Sequence, residues 1–173
     1  MKKSQIIFVH VFYWLLLLIK YALTYFNNED FRISLINVTL FTANFLSFYI
    51  NYFFIAPKFF NPKRLYLSIF GYFLGVVVFV FFRYSFEEVL LPIFAGFRNY
   101  AEGTSFVYYF YDNIYYSALS IFVSTSLWLF TYYSKLEKER VQLIEEKKNA
   151  ELQALKTQIN PHFIFNSLNN IYS

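Results

Sequence analysis

The residues best suited to chemistry lie together at the C-terminal end: Ile159-Asn160-Pro161-His162-Phe163-Ile164-Phe165-Asn166-Ser167-Leu168-Asn169-Asn170-Ile171-Tyr172-Ser173. Pro161 interrupts an incoming helix or opens the first turn of a new one. If helix resumes, Gln158, His162, Asn166 and Asn170 follow at i+4 steps on one polar face. Phe165, Leu168 and Tyr172, with Ile164 and Ile171, form the apolar face opposite. The imidazole of His162 is then presented outward, and its ordinary pKa of about 6.5 leaves a neutral, nucleophilic fraction near neutral pH. This pattern suits acceptance of an electrophilic group, and it equally suits an ordinary exposed histidine. Asn166, one turn further, is a candidate to orient the imidazole by a hydrogen bond.

Something must carry that segment. Ser134–Gln158 contains neither Pro nor Gly and consists largely of Glu, Lys, Leu, Gln and Ala, the strong helix formers. The expectation is one continuous helix. Leu136, Leu143 and Ala150 recur at seven, whereas Leu152, Leu155 and Ile159 step by three and four. Any coiled coil therefore breaks register near Ala150. So thin an apolar stripe does not fold alone; it wants a partner helix, most simply its own copy in a homodimer. A solvated helical tail is the other reading.

Upstream, the composition is that of a membrane protein. Of 173 residues, 58% are hydrophobic and 15% charged, with 25 Phe, 17 Tyr and only 4 Gly. Disorder and an ordinary soluble enzyme are both excluded at this level. The net charge of +4 is too slight and too scattered to argue for nucleic acid. The absence of cysteine removes disulfides, thiolate catalysis and most zinc sites. Four apolar runs, 6–26, 33–55, 65–86 and 107–133, each reach the roughly 20 residues needed to cross about 30 Å of hydrocarbon. Helices are the form that satisfies a spanning backbone. The first run is too long for a signal peptide and lacks a cleavage site, so it reads as a retained anchor.

The basic residues then orient the chain. Lys2, Lys3, Lys58, Lys63, Arg64, Lys135, Lys138, Arg140, Lys147, Lys148 and Lys156 flank one side of the spans. Arg32 and Arg98 are the only two on the other, beside Glu29, Asp30, Glu87, Glu88 and Glu102. The bias predicts both termini in the cytoplasm. The loop Glu87–Phe106 is apolar at Leu90–Phe94, so it is expected to dip into the interface and not to form a folded sensor domain. Within the spans, Arg83 and Asp112 lie at similar depth and either pair or snorkel independently, as Lys20 does. His10 is expected to be a hydrogen-bonded bundle residue. Gly71 and Gly75 permit close helix approach, within the chain or between copies. Asn37, Thr39, Thr42, Asn44, Ser47 and Asn51 in the second run either glue helices or line a transport path.

The stretch Leu155-Lys156-Thr157-Gln158-Ile159-Asn160-Pro161-His162-Phe163-Ile164-Phe165-Asn166-Ser167-Leu168-Asn169 closely resembles the histidine box of the LytS-type (LytS/YehU-like) sensor histidine kinases, Q-I-[NQ]-P-H-F-[LI]-F-N-x-L-N. Four spans followed by a charged helix is also a layout common in that family. The resemblance implies a membrane sensor kinase of a two-component system, with His162 as phosphoacceptor. ATP and Mg²⁺ supply the phosphoryl group, and a response regulator, often of the LytTR type, receives it on an aspartate. It implies a homodimer in lipid at the bacterial plasma membrane. Phe163, as in the family, stands where many other histidine kinases place an acidic base, so no base is identifiable.

The expected organisation is thus an all-α membrane protein. Residues 1–133 form a four-helix sensor region, 134–158 a coiled-coil-like signalling helix, and 159–173 the start of the dimerisation and phosphoacceptor domain. An ATP-binding domain needs about 100 residues or more, which suggests that the sequence is the N-terminal piece of a longer kinase or a truncated gene product. The competing expectations are a membrane receptor or anchor that scaffolds a partner without kinase activity, and a small transporter.

Overall fold

The computed structural model describes residues 3–27, 30–61 and 64–158. These form helices α1 (Lys3–Asn27), α2 (Phe31–Ile50), α3 (Ala56–Phe59), α4 (Leu65–Tyr84), α5 (Leu91–Ala95) and α6 (Phe106–Gln158). Wider π-helical turns, Asn51–Ile55 and Ser85–Leu90, join α2 to α3 and α4 to α5. The result is four rods long and apolar enough to cross a membrane: Ser4–Phe26, Phe31–Phe59, Leu65–Ala95 and Phe106–Thr157.

Local sequence explains the joints. Asp30 caps α2, its carboxylate accepting from the Arg32 backbone N–H at 2.8 Å, which satisfies an otherwise orphaned donor. Each π-helical turn runs up to a resumed helix with a proline in its first turn, Pro57 in α3 and Pro92 in α5. A proline lacks the N–H and crowds the carbonyl one turn back; a widened turn accommodates both at modest cost. The second of these turns corrects the sequence expectation. Glu87–Phe94 is helix, not loop, and the rod ends only at Gly96, whose φ of +74° is the left-handed C-terminal cap that glycine adopts without strain. Ser105 then opens α6 by accepting from the Tyr108 N–H at 3.3 Å.

The chain divides into two units, one up to Thr131 and one from Tyr132. The first is a bundle. Val76, Val80 and Ile121 pack with Tyr109, and Leu40 and Ala43 pack with Phe79. Gly71 and Gly75 serve packing within the chain. A Cβ on Gly71 would stand 2.7 Å from Phe59 Cβ, and one on Gly75 would stand 3.2 Å from Ile121. α1 joins chiefly through rings: Trp14 packs on Phe41, Phe45 and Phe48 and donates to the Tyr49 hydroxyl at 3.2 Å.

The second unit is described as helix up to Gln158, and its side chains up to Thr157 are almost all exposed. Leu136, Leu143, Ile144, Leu152 and Leu155 lie uncovered along it. Opposite charges decorate its surface, with Lys135–Glu139, Arg140–Glu137 and Lys147–Glu151 each 3.8 Å apart.

Candidate functional site

His162 and Asn166 lie outside the described residues, as does the rest of the segment beyond Gln158. The structure therefore supplies the helix that leads toward them, α6. The geometry of the imidazole itself stays a matter of sequence.

Within the bundle, the polar residues converge on one ionic centre. Arg83 of α4 directs Nε to both carboxylate oxygens of Glu87 at 3.0 Å, and one terminal nitrogen to Asn113 Oδ1 at 2.8 Å. Its guanidinium also lies 4.3 Å from the Tyr116 ring centre, an attractive cation–π arrangement. Glu87 accepts further from Asn99 at 2.6 Å and Thr39 at 3.4 Å. Arg83 is 3% and Glu87 0% exposed. A buried charge pair of this kind holds only when its remaining lone pairs and protons are also satisfied, and here α2, α4, α6 and the 96–105 loop each contribute a partner.

Two expectations are corrected by this centre. Arg83 does not snorkel; it is buried. Its carboxylate partner is Glu87, one turn along, and not Asp112, which instead accepts from the Tyr100 hydroxyl. Burial, reinforced by that bond to Asp112, pushes the Tyr100 phenol above its ordinary pKa. Glu87, Asn99 and Asn113 were not singled out from the sequence. The i, i+4 spacing of Arg83 and Glu87 was a usable signal, masked because Glu87 and Glu88 read as the start of a loop.

The polar row of the second span also finds its role. Asn51 donates to Ser124 Oγ at 2.5 Å and to Thr125 Oγ1 at 2.8 Å, and Ser120 donates to the Asn44 carbonyl at 3.4 Å. These bonds join the second rod to α6, as polar residues do between helices in lipid. On the α6 side, Asn113, Ser117, Ser120, Ser124 and Thr125 are all buried, small enough for close approach.

His10 departs from expectation. Its ring packs among Phe48, Tyr49 and Tyr52, with centroids 5.0–5.8 Å away. Its Nδ1 finds no hydrogen-bond partner among the described residues. Rings, not a hydrogen bond at that nitrogen, hold it. Among the described residues no group of three or more His, Cys, Asp or Glu side chains is placed to hold a metal ion.

The bundle's ionic centre has its donors and acceptors committed to one another, so it organises helices and offers no free nucleophile. Residues 150–173 match the histidine kinase family model, a stretch that contains both His162 and Asn166. No curated protein and no solved structure matches the chain. The match supports a histidine kinase kind of enzyme, which uses ATP, and the four long apolar helices mark a membrane protein.

Proposed function

We propose that this chain is the membrane input region, with its phosphoacceptor, of a LytS-type sensor histidine kinase in a two-component system. The observation that carries the proposal is the family match over residues 150–173, centred on the box in which His162 stands. A nitrogen of the neutral imidazole attacks the γ-phosphorus of ATP; the P–N bond forms, the bridging P–O bond breaks and ADP leaves. An aspartate oxygen of a response regulator, of the LytTR type by the resemblance, then takes the phosphoryl group as the P–N bond breaks. Such transfer is mainly positioning and charge stabilisation.

The phosphoryl donor is ATP with its Mg²⁺. Asn166 orients the imidazole. The uncovered leucines between Leu136 and Leu155 pair with those of a second copy, giving a homodimer. Both termini face the cytoplasm of a bacterial plasma membrane, on the side favoured by the basic residues, where ATP is available. Reporter fusions after Tyr133 and within 99–105 should then report opposite compartments.

The decisive experiment supplies ATP and the family's ATP-binding domain, in cis or in trans, and follows phosphate incorporation. The label should be acid-labile and alkali-stable, because a P–N bond weakens once its nitrogen is protonated. His162→Gln should abolish it, Asn166→Ala should slow it, and His10→Gln should leave it intact. Undiminished incorporation in the His162→Gln variant would overturn the proposal.

A further inference from the structure

A cavity of about 640 Å³ opens in the bundle between α1, α2 and α6, within the size range of small-molecule sites. Its walls are of two kinds. Leu17, Leu119 and Phe122 line one part, and Leu119 and Phe122 are each 60% exposed, so this part opens sideways, toward acyl chains in a bilayer. Lys20, Tyr21, Asn37 and Asn44 line another.

Among the described residues, Lys20 is the one charged side chain in the cavity wall. It stands seven residues before the end of α1, about 10 Å along the axis. The Tyr21 ring centre lies 5.7 Å from its amine, and among the described residues no carboxylate pairs with it. Lys20 is exposed, so its amine is open to an occupant. A cation without a counter-ion is costly at membrane depth, and an acceptor bearing negative charge would answer it.

From this juxtaposition we infer that the cavity is a binding site for an acidic amphiphile. Its anionic head meets Lys20, and its hydrocarbon tail leaves along Leu119 and Phe122. The head chemistry is shared by a free fatty acid and by an anionic lipid headgroup. Tyr116 also lines the cavity, and its ring carries the Arg83 guanidinium at 4.3 Å. An occupant therefore touches the residue against which the buried ionic centre rests. The site does not depend on the kinase proposal, and binding is measured without phosphorylation.

The test uses the whole chain in nanodiscs of phosphatidylcholine, with palmitic acid carrying a terminal diazirine as the probe. Saturable adducts are expected near Leu17, Leu119 and Phe122. Lys20→Gln should weaken labelling about tenfold, the loss of one charge-assisted hydrogen bond, while Lys20→Arg should retain it. Leu119→Trp fills the cleft from an exposed position and should also block labelling, with helix content unchanged. Competition by excess oleate assigns the site to a free acid, and competition by added phosphatidylglycerol to a headgroup. Equal labelling of the Lys20→Gln and Leu119→Trp variants would overturn the inference. So would competition by neither lipid, adducts spread evenly over the outward Phe54 and Phe73, or a Leu119→Cys variant that cross-links copy to copy at the cleft.

Discussion

Two ion pairs in this chain share one spacing and nearly the same chemistry. Arg83 and Glu87 stand four residues apart on the third rod, 3.0 Å from each other, with side chains 4% and 0% exposed. Lys147 and Glu151 stand four apart on α6, 3.8 Å from each other, with side chains 78% and 64% exposed. In the bundle, water is excluded and each charge depends on the other and on Asn113, Asn99 and Thr39. On the second unit, solvent screens both charges and either can be lost cheaply. Spacing proposes a pair, but the medium decides what it is worth.

The largest expected effect breaks the buried pair. Arg83→Ala leaves Glu87 charged and unmatched and should lower the unfolding free energy by about 3–5 kcal/mol, read by denaturant unfolding in detergent with helical circular dichroism. Replacing both partners, Arg83→Met with Glu87→Leu, should recover part of that loss. If Arg83→Ala costs no more than a surface change, the contrast between the two pairs collapses.

Next comes the packing that brings α4 close to its neighbours. Gly71→Ala places a methyl against Phe59 Cβ, which is fixed to the backbone, and should cost about 1–3 kcal/mol. Gly75→Ala meets only the movable Ile121 side chain and should cost less by the same assay. Equal costs would mean that α3 yields as easily as a side chain.

A smaller effect should follow from Asn51→Ala, which removes the bonds to Ser124 and Thr125. Interhelical polar contacts in membranes average about 0.6 kcal/mol with a maximum near 1.7. A double-mutant cycle with Ser124→Ala isolates the contact. Coupling indistinguishable from zero would show that the Asn51 contact adds nothing to the packing of the second rod on α6.

The smallest change belongs to the exposed pair. Lys147→Ala should alter unfolding by no more than about 0.5 kcal/mol, and that little should vanish in high salt. A larger, salt-resistant loss would show that this charge is shielded from water, and the comparison with Arg83 would then have to be redrawn.

Much of this architecture was legible in the sequence, and the exceptions have physical causes. Long apolar runs announce spanning helices because lipid leaves the backbone no other partner. The Pro- and Gly-free stretch after Ser134 announces helix, and α6 runs through it to Gln158 without a break. The third rod was misjudged at its end. Glu87 and Glu88 interrupt the apolar run, and an isolated carboxylate there belongs in water; only Arg83, Asn99 and Thr39 make burial tolerable. Asp112 was the wrong partner for Arg83 because similar depth along two helices says nothing of their facing sides. The candidate phosphoacceptor, by contrast, rests on a contiguous run of residues and needs no fold to be noticed.

By itself, the sequence determined that this chain is helical and lipid-seeking, and that its chemically distinctive histidine lies near the C-terminal end. Those properties come from composition and from residues adjacent along the chain. Tertiary structure alone decided that Glu87 is buried with Arg83, that Gly71 and Gly75 face Phe59 and Ile121, and that a cleft lined by Lys20 opens between α1 and α6. Each depends on how helices rotate and approach one another, and that is settled by the summed packing of distant side chains, which no local spacing encodes.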